Sequence, residues 1–217
     1  MKRKLLIVAA AVCVIALLSV GTLALFSDSD SVTNKFMISS YKEDDDPVKP
    51  DEVFSVIVYE TDKDGETTET GRTYGDIVPS GEYDKDPTVK NTGRYAQYIR
   101  VMVTVSNAKN WQAACARHEI TDLTTIFGGF VEADWTRVDE PAYDAEKDEL
   151  TYTYYYNGIL EPGEAVTLFK TVTIPSAFDQ VDMAALDYFE LSVAADAIQS
   201  ANTGDNAVEA FADCWGK

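Results

Sequence analysis

The chain holds a single histidine, His118, in the run "HEITD". A helical zinc-peptidase site needs two histidines at i and i+4 with a glutamate between them. Here the i+4 position is Asp122, and no other histidine exists to complete the ligand set. A Ser-His-Asp arrangement would have to use His118 as well, and no G-x-S-x-G elbow accompanies it. Phosphate-cradling loops of the P-loop or G-x-G-x-x-G kind are also missing. The acids offer one further grouping. "TDKDGETTE" places Asp62, Asp64, Glu66 and Glu69 around Gly65. That is half of a calcium loop, without the third Asp or Asn and without the glutamate at the twelfth position. It reads better as an acidic hairpin turn, and no tight calcium site is expected. No cofactor is expected either. Of the three cysteines, Cys13 lies in an apolar leader. Cys115 and Cys214 could form one disulfide in an exported protein or remain two buried thiols.

The elements that would carry such residues follow period two. In "EVFSVIVYE" (52–60), Phe54, Val56 and Val58 alternate with Val53, Ser55, Ile57 and Tyr59. In "RYAQYIRVMVTVS" (94–106), Tyr95, Gln97, Ile99, Val101, Val103 and Val105 share one face. "ELTYTYYYN" (149–157), "EAVTLFKTVTI" (164–174) and "YFELSVAADAI" (188–198) are rich in β-branched and aromatic residues. Such residues suit a half-buried pleated surface. Turn signals separate them: "KDG" (63–65), "PSG" (79–81), "NTG" (91–93), "NG" (157–158) and "EPG" (161–163). The expectation is a mainly β chain, a jelly-roll-like antiparallel β-sandwich with one or two short helices. Helix is predicted over 107–120, with Asn107 as N-cap and a stripe of Trp111, Ala114, Cys115 and His118. A second short helix is predicted over 206–215, capped by Asn206, and a helical turn over 180–187.

Composition sets the compartment. The 217 residues carry a net charge of −19, so nucleic acid and anionic surfaces are unsuitable partners. Residues 1–24 read as a signal peptide helix: Lys2, Arg3 and Lys4, then an uncharged apolar run from 5 to 20, then small residues. Thr22 and Ala24 stand at −3 and −1 of a cut before Leu25. The same stretch is just long enough to serve as an uncleaved anchor. Membrane contact is therefore expected only through the uncleaved segment. Residues 25–40 form an N-terminal strand. Residues 41–51, acidic and with Pro47 and Pro50, form a tether, and 52–217 form the sandwich.

"GTLALFSDSDSVTNKFMI" (21–38) resembles the signal end and mature start of proteins exported through the alternate signal peptidase SipW. Gly21, Thr22, Ala24, Phe26, Ser27, Asp28, Asn34 and Phe36 carry the likeness, and Leu25 departs from it. "DPTVKNTGRYAQYIRVMV" (86–103) resembles the family's P-x-V-x-N-T-G followed by a strand with an inward arginine. "YYYNGILEPGEAVTLFKTVTIPS" (154–176) and "LSVAADAIQSAN" with "EAFADCWG" (191–216) are fainter echoes. The family includes TasA, camelysin-like and BsaA-type matrix proteins. The resemblance implies a secreted jelly-roll subunit of a Gram-positive bacterium that polymerises into biofilm fibres. It also implies the alternate signal peptidase, copies of the chain itself and other matrix components as partners. Some relatives carry a metallopeptidase label, which a chain with one histidine supports poorly.

The residues of 25–40 fit a polymerisation strand. Phe26, Val32, Phe36 and Ile38 make a face that is apolar at its ends, with Asp28, Asp30 and Asn34 between them. Such a strand on a tether can add to a neighbour's sheet edge, or serve as the first strand of its own sandwich. A rival reading is an adhesin or carbohydrate-binding sandwich using exposed Trp135, Tyr152, Tyr154 and Tyr156. Its mark would be an aromatic row on one sheet face. The sequence-level expectation is a non-enzymatic matrix subunit.

Overall fold

The computed structural model describes residues 27–35, as backbone, together with 55–62, 64–138, 140–201 and 203–215. The chain is mainly antiparallel β. The strands are β1 (Ser27–Lys35), β2 (Val56–Thr61), β3 (Thr67–Thr68), β4 (Glu82–Asp84), β5 (Thr88–Asn91), β6 (Gln97–Ser106), β7 (Phe127–Gly128), β8 (Trp135–Arg137), β9 (Ala142–Asp144), β10 (Glu149–Tyr156), β11 (Ala165–Thr167), β12 (Thr171–Thr173) and β13 (Glu190–Gln199). The largest sheet runs β1-β13-β6-β10-β8, with β9 also on β10. A second sheet runs β11-β5-β2-β3 and a third β4-β12-β7.

Alternation explains the layering. In β6, Gln97, Ile99, Val101, Val103 and Val105 are all fully buried. In β13 the same holds for Leu191, Val193, Ala195 and Ala197. These faces share one core cluster with Val56, Val58 and Val89 of the second sheet and Phe127 and Val172 of the third. The expected strand over 164–174 is two short strands instead. Leu168 and Phe169 between them are buried, and Phe169 stacks on Phe127 at 4.5 Å. Core packing takes precedence there over a continuous ladder.

Three helices occur among the described residues, one more than expected: α1 (Ala108–Arg117), α2 (Gln180–Ala185) and α3 (Ala207–Trp215). The helical turn over 180–187 becomes a helix because Asp179 and Asp182 form a reciprocal capping box at its start. In α1 the Trp111, Ala114 and Cys115 stripe is buried as the spacing predicts. Asn107 sits at its N-cap but in the left-handed region, with φ 56° and no side-chain cap bond. Its amide donates instead to the carbonyls of Ala185 and Tyr188. Asp148 does the capping, its carboxylate accepting from Lys109 N and its carbonyl from Ala108 N. Asn206 does cap α3, accepting from Glu209 N at 3.1 Å.

α3 covers the outer face of the largest sheet. Ala207, Ala210 and Phe211 pack on Tyr98 and Ile198 as a second cluster. Arg100 lies under this helix, 4.8 Å from the Phe211 ring centre, and bonds Asp196 of β13. It therefore faces outward, where the resemblance implied an inward arginine. Parity decides this, since Ile99 and Val101 on either side already occupy the core face.

Candidate functional site

β1 is the element that most nearly matches a functional expectation, and its local chemistry is unusual. It reads SDSDSVTNK, with one apolar residue, Val32. Ser, Asp and Asn are poor strand formers, so this strand has little intrinsic drive to form alone. It is held by its partner. All nine residues pair with β13 without a bulge, from Ser27 opposite Ile198 to Lys35 opposite Glu190.

Directly opposed residues of an antiparallel pair project to the same face. Asp28, Asp30, Val32 and Asn34 are opposite Ala197, Ala195, Val193 and Leu191, which are the fully buried residues of β13. Positions 28, 30, 32 and 34 thus belong to the core side of the sheet. Two acids and an amide stand at core-side positions where apolar residues would bind better. Those residues make β1 a weakly specified strand in a well-specified groove.

The two edges of the largest sheet differ. β1 is one edge, long and regular, with no further strand beyond it among the described residues. The other is divided between β8 and β9, three residues each, which share β10. Between them Val138 N donates to Thr153 O, and Pro141 interrupts the run. Short strands and proline blunt an edge against pairing, and a long regular strand leaves it open.

In this chain β1 pairs with its own β13, the self-paired arrangement of the two the sequence left open. The expectations for Thr22, Ala24, Leu25, Phe26, Phe36 and Ile38, and for the tether 41–51, concern positions outside the described residues.

Asp62, Asp64 and Glu66 form a tight turn. The Asp62 carboxylate accepts from Asp64 N at 2.8 Å and Glu66 N at 2.9 Å. Those two amides hold its carboxyl below the usual carboxylate range. Gly65 takes φ 83° there, a conformation that suits glycine.

The possible disulfide between Cys115 and Cys214 is not formed, and both are free thiols. Cys115 belongs to the main core on α1, and Cys214 to the separate cluster under α3. The two helices pack into different hydrophobic clusters, which separates the thiols. Burial pushes both up from the ordinary thiol value.

His118 is drawn into a structural junction. Its Nε2 lies 2.7 Å from Asp182 Oδ2, and Arg117 bonds the other oxygen of the same carboxylate. Asp182 Oδ2 also accepts from Asp179 N at 2.8 Å. His118, Asp179 and Asp182 are the cluster of potential metal ligands among the described residues. The Asp179 and Asp182 carboxylates are both taken up by the capping box. Burial alone would raise the Asp182 pKa, but the Asp179 amide, His118 and Arg117 outweigh it and hold it below the usual range. A depressed folded-state pKa contributes stability above the ordinary carboxylate range and loses it as pH falls through that range. The melting temperature is therefore expected to fall below about pH 5. Asp182→Asn should lower it at pH 7 and flatten this acid limb, as thermal melts across pH would measure.

The aromatic residues of the adhesin reading do not form an exposed row. Trp135, Tyr152 and Tyr154 are 4%, 5% and 2% exposed, and Tyr156 packs partly buried against the core. Two open clefts of about 490 and 500 Å³ meet at the Asp122–Arg137 ion pair. The aromatic rings bordering them are mostly spent on the core.

Sequence reasoning missed one pair. Lys85 and Glu60 are both fully buried, with Nζ 2.5 Å from Oε1. Lys85 sits in the charged run "EYDKDP". The available signal was parity, because Glu60 continues the inward set Val56 and Val58.

No helix among the described residues is long and apolar enough to cross a membrane. No family model, no curated protein and no solved structure matches the chain.

Proposed function

We propose that this chain is a secreted structural subunit of a Gram-positive bacterium that polymerises into extracellular matrix fibres. Its jelly-roll body accepts the β1 strand of a neighbouring copy in the groove beside β13. The observation that carries this reading is the mismatch between β1 and its groove. A polar strand near the start of the chain fills the edge of a sheet whose neighbouring strand carries a fully buried row, Leu191, Val193, Ala195 and Ala197. Exchanging one β1 for an identical one preserves every backbone hydrogen bond, so the swap has little thermodynamic cost. The head-to-tail contact does not close and grows a filament. Main-chain pairing supplies affinity, and the core-side positions supply register.

Processing by the alternate signal peptidase before Leu25 would free the strand, and the uncleaved segment would hold it at the membrane. Other matrix components are natural further partners. The double substitution Val32→Asp with Phe36→Asp tests the reading. Circular dichroism is expected to show a folded β-rich body, and electron microscopy no filaments. Filaments of unchanged number and length would refute strand donation.

A further inference from the structure

Glu60 stands where the alternation of β2 calls for an apolar residue. It follows Val56 and Val58 on the inward face, and all three are buried. Its partner Lys85 comes directly after β4 and is buried with it. Both side chains are fully excluded from water, with Nζ 2.5 Å from Oε1. A separated charge pair is costly in such surroundings. Transfer of one proton along the hydrogen bond gives a neutral amine and a carboxylic acid. Burial pushes the Lys85 amine down, against the opposing attraction of Glu60. The neutral pair is an amine nucleophile in contact with a carboxyl electrophile.

The backbone holds the two groups together. Glu60 pairs with Thr68 of β3, and Lys85 N donates to Lys170 O at 3.0 Å. The residues that follow them are joined as well. The Asp86 carboxylate accepts from Thr61 N at 2.8 Å and from Thr61 Oγ1 at 2.5 Å. The Glu60 carboxyl carbon is one bond beyond Oε1, which places it roughly 3–3.5 Å from Nζ, the separation of a near-attack pair. An open cleft of about 310 Å³ is bordered by Thr61, Asp84 and Asp86. These residues adjoin Glu60 and Lys85 in the chain, so the cleft offers a small leaving molecule a way out.

We propose that Lys85 and Glu60 condense to an intramolecular amide that ties the second sheet to the third. The Lys85 nitrogen attacks the Glu60 carboxyl carbon. The Nζ–Cδ bond forms, and the bond from Cδ to the hydroxyl oxygen breaks. The hydroxyl takes a proton from Nζ and leaves as water. No oxidant, reductant or cofactor enters. The reaction removes both buried charges, and the dry surroundings protect the amide from hydrolysis. The product closes the segment between two residues 25 apart into a covalent ring that contains β3 and β4. Cys115 and Cys214 are free thiols, so this tie comes from an amide and not from a disulfide. It lies within the body of one chain and does not rest on the strand-exchange reading.

The test is mass spectrometry of the full 217-residue chain, purified and digested with trypsin under denaturing conditions. Cleavage after Lys63 and Arg72 puts Glu60 and Lys85 on separate peptides. The expected result is one branched peptide that contains both, lighter by one water than their sum, with no cleavage after Lys85. Lys85→Met with Glu60→Leu replaces the pair by apolar residues, an exchange that buried ion pairs often tolerate. That variant should show a folded β-rich circular dichroism spectrum and give no branched peptide. The parent chain's peptide masses decide the matter even if the variant fails to fold. Separate peptides of unmodified mass, with cleavage after Lys85, would overturn the amide and leave a buried ion pair. A branch from Lys85 to any other acid would overturn the assignment to Glu60.

Discussion

Residues 25–217 are expected to form filaments in negative-stain electron microscopy, and residues 42–217 none. The physical reason lies in β13. It has a nine-residue partner on one side and β6 on the other. Without β1, one edge of β13 is left with unpaired amides and carbonyls beside Leu191 and Val193, which are buried in the intact chain. The truncated body should therefore be less stable. It should regain stability when a synthetic peptide spanning 25–40 is added, as a concentration-dependent rise in melting temperature. Strand peptides with scrambled parity should give no rise, because a one-residue slip moves Val32 to the other face. Monodisperse particles from both lengths would leave "GTLALF" as a processing site alone.

Trp111→Ala is expected to have the largest effect of any single core substitution away from the edge. Trp111 is fully buried. It meets Phe189 edge-on at 5.0 Å and Phe178 at 5.6 Å. It is therefore the point where α1 is joined to the segments flanking α2. Large-to-small truncation of such a residue costs about 3–5 kcal/mol. In a domain of this size each kcal/mol moves the melting temperature by about 2–4 °C, giving a fall of roughly 6–20 °C. The indole nitrogen has no hydrogen-bond partner among the described residues, so Trp111→Phe loses volume but no hydrogen bond and should cost much less. Differential scanning calorimetry on both variants checks the ordering. A Trp111→Ala protein that melts within 2 °C of the parent would show that α1 is not part of the cooperative core.

The long strands β2, β6, β10 and β13 were legible because alternation is local. A residue at 99, 101, 103 or 105 announces its face through its neighbours, and the burial of β6 follows that parity. The α1 stripe was legible for the same reason at a different period. The failures come from contacts far apart in the chain. Asn107 looked like a cap, but Asp148, brought in by β10, supplies that bond, while Ala185 and Tyr188 claim the asparagine. Arg100 was placed inward by likeness and is turned outward by its own parity and by α3. The alternating tyrosines, by contrast, read better as core than as surface, and Tyr152 and Tyr154 are buried.

By itself the sequence determined the β-rich class, the faces of the long strands, the helix positions, the acidic charge and the polar character of the first strand. These depend on residue type and spacing within a few positions. Only the tertiary structure decided that β1 lies at the open edge of the largest sheet, opposite the buried row of β13. It alone separated Cys115 from Cys214 and drew Lys85 and Glu60, 25 residues apart, into one dry contact. Pairing and burial between distant segments depend on how the whole chain closes, and no local period encodes them.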